Sequence, residues 1–323
     1  MKKIISTLVA LAMLTGSLCA CGKADASNGK KKIVATIFPE YDWVMNILGD
    51  KADQFDVTLL LDSGTDLHSY QPSVADLANI SGCDIFIYVG GESDSWAADA
   101  VSQAVNKDMK VIDLIDVLGN SAVEEEIIEG MEGEDEEEGH EEEGPEYDEH
   151  VWLSLRNATV LCEAIEDAIS SIDPDNKAVY EANLESYKGK LSDLDARYIE
   201  VIESSSRDTL LFGDRFPFRY LVEDYDLDYY AAFLGCSAES EASFDTVIFL
   251  ADKTDELGLD SIIILEGNND DIAQAIKDNT DSKDQEILTL DSMQSITAED
   301  IDSGADYLTI MSDNLDVIEE ALN

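Results

Sequence analysis

Val57-Thr-Leu-Leu-Leu-Asp-Ser-Gly-Thr-Asp-Leu-His-Ser-Tyr-Gln-Pro72 is the stretch that decides how the chain is read. Its first five residues are an apolar run with the composition of a strand. The run breaks at Asp62-Ser63-Gly64 into a polar loop that carries His68 and reaches Pro72, a favoured first residue of a helix. A strand therefore delivers an imidazole to the loop at its carboxyl end, the edge of an open α/β sheet where ligands bind. The chain has only three histidines. His150, in Asp148-Glu149-His150-Val151-Trp152-Leu153-Ser154, has a similar setting at the start of another predicted helix. Two scarce imidazoles in matching contexts point to one shared site, because histidine is the commonest metal ligand. Taken alone, His68 is equally a loop histidine that bonds nearby backbone.

Outward from this stretch the pattern alternates. Ile33 to Phe38, Val57 to Leu61, Ile85 to Val89 and Lys110 to Asp113 are short apolar or β-branched runs of the kind that form parallel sheets buried on both faces. Between them, Tyr41 to Leu48, Ser73 to Ile80 and Ser95 to Val105 read as helices, which makes a βα lobe over residues 33–172. Asp173-Pro174 then marks a helix start. Tyr180, Leu184, Tyr187, Leu191, Leu194, Tyr198 and Ile202 recur at steps of three and four, the pattern of one amphipathic helix of roughly 30 residues. It occupies 173–205 and is suited to connect two lobes. A second lobe over 206–323 repeats the alternation, with strands at Thr209 to Phe212, Asp228 to Phe233, Ser261 to Leu265 and Glu286 to Leu290. Helices are expected at Phe218 to Asp224, Phe244 to Leu257, Asp271 to Asn279 and Ala305 to Leu322. Polar residues follow three of these strands: Gly213-Asp214-Arg215, Glu266-Gly267-Asn268-Asn269 and Asp291-Ser292. The expected fold is α/β, two βα lobes with mostly parallel sheets joined by one long helix, the site lying in the cleft between them.

Composition limits the ligand. The chain is 323 residues long with 45% hydrophobic content, enough for two ordinary domains, and carries a formal net charge of -52. Repulsion of that size excludes nucleic acid as a partner and draws small cations toward the protein at low salt. Residues 124–149 are more than half Glu or Asp, with His140 and Pro145 among them. This block reads as a disordered acidic loop, either a solvated insertion or a weak collector of cations.

Residues 1–20 read as a targeting segment, with Lys2 and Lys3 ahead of an apolar Ile4 to Leu14. Leu18-Cys19-Ala20-Cys21 resembles a lipobox, which makes Cys21 the lipid-anchored residue and 21–32 a tether. Of the other cysteines, Cys83 reads as a small packing residue. Cys162 and Cys236 could form a disulfide outside the cytoplasm, which spacing alone does not decide.

Together these segments carry a family resemblance. The lipobox, Thr36-Ile37-Phe38-Pro39-Glu40-Tyr41-Asp42-Trp43, Ser63-Gly64 to Pro72 around His68, Gly90-Gly91-Glu92 with Trp96, the acidic loop, His150-Val151-Trp152-Leu153 and the tyrosine-studded helix occur in this order. The chain resembles the zinc- and manganese-binding lipoproteins of bacterial metal ABC importers. The resemblance implies a monomeric, non-enzymatic, membrane-anchored binding protein that hands a metal ion to an ABC permease. It further implies His68, His150 and Asp291 as ligands. At the family's remaining ligand position this chain has Arg215, which has no lone pair to offer a metal. Either Asp214, one residue earlier, takes that place, or Arg215 pairs with Asp291 or Glu266; Asp214 or Glu266 then completes or tunes the shell. Zn²⁺ is favoured over Mn²⁺ because zinc gains more from nitrogen ligands. Capture of a metal chelate and adhesion to a surface partner are the alternatives on the same fold. A metallohydrolase lacks support, since neither a His-Glu-x-x-His helix nor a Gly-x-Ser-x-Gly elbow is present.

Overall fold

The computed structural model describes residues 29–132, 147–237 and 241–323. The targeting segment, Cys21 and His140 lie outside the described residues. The first lobe comprises β1 (Lys31–Ala35), α1 (Phe38–Leu48), β2 (Phe55–Leu59), α2 (Val74–Ser81), β3 (Ile85–Tyr88), α3 (Trp96–Gln103), β4 (Lys110–Asp113) and α4 (Leu114–Leu118). Then come α5 (Leu155–Ile172) and α6 (Lys177–Ser204). The second lobe holds β5 (Thr209–Phe216), α7 (Arg219–Tyr225), β6 (Asp228–Leu234), α8 (Phe244–Leu257), β7 (Ser261–Leu265), α9 (Asp271–Asn279), β8 (Glu286–Leu290), α10 (Ala298–Asp302) and α11 (Tyr307–Leu322).

Both sheets are parallel and have the same topology, β2-β1-β3-β4 and β6-β5-β7-β8. In this order the chain reverses its direction of travel between β1 and β3, and again between β5 and β7. Those switch points open crevices at the carboxyl ends of the strands. The β7 strand, Ser261-Ile-Ile-Ile-Leu265, is buried along its whole length, as a strand with helices on both sides requires.

The long helix is α6. Its residues Tyr180, Leu184, Tyr187, Leu191, Leu194 and Tyr198 are buried. Asn183 donates to Ile47 O of α1 at 2.9 Å, and the Tyr198 hydroxyl donates to Met311 O of α11 at 2.6 Å. One helix thus packs on elements of both lobes, and a single apolar cluster runs from Ile33 and Trp43 through α6 to Phe212, Ile263 and Leu322. A smaller cluster built on Leu211, Leu250 and Ile262 packs β5 and β7 with α8.

Several expectations need correction. Pro72 does not start a helix: Ser73 is the N-cap of α2, its hydroxyl accepting from Asp76 N, and Pro72 stands ahead of the cap. His150 precedes a 3-10 turn, Val151–Leu153, and α5 starts only after the Ser154 cap. Gly213-Asp214-Arg215 is not a loop, since β5 continues to Phe216 through an irregularity in its register with β6 between Phe212 and Arg215. The segment 124–149 is ordered at both flanks. Met131 is buried, Ile128 packs on the core, and Glu132 bridges to Phe233 of β6. Glu124 bridges to Tyr147 across the base of the segment. Apolar residues interspersed among the acids supply the packing that a count of charges overlooked.

Candidate metal centre

The first imidazole arrives on a 3-10 turn, Leu67–Ser69, after β2. Asp66 caps this turn by accepting from His68 N at 3.0 Å, and Leu67 anchors it in the core. The second arrives where the chain returns from the acidic segment. There Asp148 Oδ1 accepts from His150 N at 2.8 Å and lies 3.1 Å from Nδ1 of the same residue. His150 is fully buried.

These two turns bring the His68 and His150 Nε2 atoms to 3.1 Å from one another. Both Nδ1 atoms face away from that point: His68 Nδ1 lies 2.7 Å from Ser93 Oγ and 3.5 Å from Glu149 Oε2, while Asp148 backs His150. An imidazole whose Nδ1 is held by an oxygen presents Nε2 in a defined direction, which is how protein metal ligands are oriented. At 3.1 Å one nitrogen donates to the other, so the pair shares a proton whose place a cation can take.

Electrostatics sets the two imidazoles apart. Burial pushes the His68 pKa down to about 3, and the charges of His150 and Arg215 act in the same direction against Asp66. Burial also opposes protonation of His150, but the carboxylates of Asp148 and Glu149 outweigh it and raise its pKa. Burial raises Glu149 as well.

A third donor joins them from the second lobe. His68, His150 and Cys236 each offer one ligand atom, and these atoms all lie within 4.8 Å of one another. Cys236 follows β6 after the single residue Gly235. Cys236 and Cys162 are both free thiols, and Cys162 is buried within α5. The considered disulfide is therefore not formed. Cys83 packs in the core as expected, its thiol against Ile80 O and Met109. Burial, then the charges of Glu125, Asp148 and Glu149, push the Cys236 thiol up.

The expected carboxylate ligands stand outside this cluster, and each accepts hydrogen bonds within its own lobe. Asp214 accepts from Leu265 N at 3.0 Å, from Asn268 through both oxygens, and from Arg215 N. Glu266 accepts from Ser292 N and Ser292 Oγ, both at 2.8 Å. Burial, with the Asp291 charge beside it, pushes Glu266 up to about 7. Asp291 accepts from Met293 N at 2.7 Å, and burial raises its pKa too. Arg215 pairs with neither Asp291 nor Glu266. It spans the cleft to Asp66 Oδ2 at 2.9 Å, so the carboxylate that caps the His68 turn also receives the guanidinium. Burial raises the Asp66 carboxyl, but the Arg215 guanidinium and the His68 backbone N–H that bond it hold it below its usual range. A cleft of about 420 Å³ opens beside this pair, lined by Asp66, Asp214, Arg215, Glu266 and Ser292.

Sequence reasoning did not find Cys236 or Ser93 as parts of the centre. The available signal for Cys236 was Gly235 beside it, at the end of a strand in the second lobe.

The comparisons agree with this architecture. The chain is 33% identical to the zinc-binding lipoprotein AdcA of Streptococcus pneumoniae (strain ATCC BAA-255 / R6) over 99% of its own length, and spans 61% of that protein. It is 28% identical to the high-affinity zinc uptake system protein ZnuA of Bacillus subtilis (strain 168), over 99% of this chain and 96% of that one. Among solved structures, the Zn(II)-bound ZnuA-like domain of Streptococcus pneumoniae AdcA matches with a TM-score of 0.71 and 26% identity, covering 91% of this chain and 99% of that domain. The model of a family described as the zinc-uptake complex component A, periplasmic, matches residues 33–321, and the chain belongs to that family.

Proposed function

We propose that this protein captures Zn²⁺ outside the cytoplasmic membrane, anchored there through Cys21, and hands the ion to an ABC permease. The observation that carries the reading is the His68–His150 pair, with Nε2 atoms 3.1 Å apart and each Nδ1 backed by an oxygen. Nitrogen donors suit zinc better than manganese, whose preference is for oxygen. Membership of a zinc-uptake family and likeness to zinc-binding relatives support the same ion. A guanidinium recognises the carboxylate groups of a chelate, but that of Arg215 is paired with Asp66.

Titration calorimetry on the purified mature chain tests the reading. His68→Ala and His150→Ala should each weaken Zn²⁺ binding by more than about tenfold, or about 1.4 kcal/mol, with the fold unchanged by circular dichroism. Zn²⁺ should displace Mn²⁺ in competition. Parent-like Zn²⁺ affinity in either variant would remove that histidine from the site.

A further inference from the structure

The geometry points to Cys236 as the third ligand of the centre, binding as a thiolate, so that two nitrogens and one sulfur hold the ion. The inference deepens the zinc-capture reading and rests on it.

Three observations carry it. The first is reach: ligand atoms on one zinc, at bonds of roughly 2.1 Å to nitrogen and 2.3 Å to sulfur, lie roughly 3.3 to 3.7 Å apart. The imidazole nitrogens are at 3.1 Å, and the three donor atoms lie within 4.8 Å of one another, so small side-chain adjustments bring all three onto one ion. The second is Gly235. A Cβ at this position would lie 2.9 Å from His150 Cε1 and 2.8 Å from Phe216 O. Only a residue without a side chain lets the turn after β6 come this close to the imidazole, and that approach is what delivers Cys236. The third is exclusion. Arg215, near the end of the neighbouring strand β5, pairs with Asp66, and Asp214, Glu266 and Asp291, which accept hydrogen bonds within their own lobe, are not among the donor atoms gathered at the imidazoles. Among the described residues, the donor that accompanies the two imidazoles is the thiol one strand over.

The chemistry is balanced. As the metal–sulfur bond forms, the S–H bond breaks heterolytically and the proton leaves to solvent, with no change of oxidation state. A thiolate is a soft donor that suits zinc and adds little for manganese. Cys236 would therefore add to the preference for zinc that the two imidazoles already carry.

The parent chain loaded with Co²⁺ tests this without any substitution. A sulfur-to-cobalt charge-transfer band in the near ultraviolet should appear, and should be absent from the Co²⁺ complex of Cys236→Ser. In calorimetry, Cys236→Ser should lose more than about tenfold in Zn²⁺ affinity and less than about threefold in Mn²⁺ affinity. A parent Co²⁺ complex with no such band, or a Cys236→Ser chain with parent-like Zn²⁺ affinity, would overturn the thiolate ligand. The histidine reading would survive that result if His68→Ala and His150→Ala still lose Zn²⁺. Undisturbed Zn²⁺ binding in the histidine variants would overturn both.

Discussion

Glu40 is buried in the first turn of α1, where Thr36 N donates to Oε2 at 2.7 Å and Ile37 N at 3.3 Å. Two backbone donors would ordinarily stabilise the carboxylate. Burial, with the Asp94 charge adding to it, prevails and pushes the group up to about 8 from 4.5. Between these values the folded chain holds a proton that the unfolded chain releases, so stability falls as pH rises from about 4.5 toward 8. Glu40→Gln keeps the acceptor and removes the titration. The variant should match the parent near pH 5 and exceed it near pH 8 by about 3 kcal/mol in urea unfolding. Parallel stability curves for the two chains would show that Glu40 does not titrate in this way. The site itself was unevenly legible at this scale. His68 and His150 stood out because imidazoles are scarce and both sit in polar turns next to regular elements. The partner of Arg215 could not be read, because a guanidinium in the second lobe finds Asp66 only once the two strand edges face each other. Cys236 was weighed only as a partner for Cys162, with the pairing left open, since a lone cysteine carries no spacing that reports what lies across a cleft.

Among the elements, the acidic segment departs most from its reading. Its charge density suggested a disordered loop over 124–149, yet Glu132 N donates to Ala232 O at 2.9 Å and Glu132 Oε1 accepts from Ser243 N and Thr246 Oγ1. Gly130 lies at a φ of 85°, and a Cβ there would strike the Phe249 ring of α8. Gly130→Ala should therefore cost about 1 to 3 kcal/mol in thermal or denaturant unfolding. Replacing 133–146 by a glycine–serine linker of equal length should leave the melting temperature unchanged and slow Zn²⁺ association in stopped flow at low salt, since the carboxylate field is then reduced. A neutral Gly130→Ala, or a linker chain that melts much earlier, would reverse the division between anchored flank and dispensable middle. The regular elements were easier to read: α8, β7, α9 and β8 lie within their expected bounds because each has an unbroken period of one kind. The β5 strand outran its reading because Gly213 and Asp214 look like a turn, and only pairing to β6 resumed at Arg215 shows them to be strand.

At the scale of the whole molecule, two lobes with the same strand order share one apolar cluster, with α6, about 42 Å long, packed along it. Tyr307 of α11 packs edge-on against Trp43 of α1 at 5.3 Å, and its hydroxyl donates to Trp152 O at 2.6 Å. A shared core cannot melt by halves, so calorimetry should show one transition with equal calorimetric and van't Hoff enthalpies. Two resolved transitions would mean that the lobes are independent. The His68 loop is fastened to the opposite lobe at two points: Ser63 bridges to Thr297, with Ala298 N donating to Asp62 O at 2.8 Å, and Asp66 holds Arg215. Asp66 holds the His68 backbone on one side and the Arg215 guanidinium on the other, so any shift of the second lobe against the first is passed straight to the turn that carries the first imidazole.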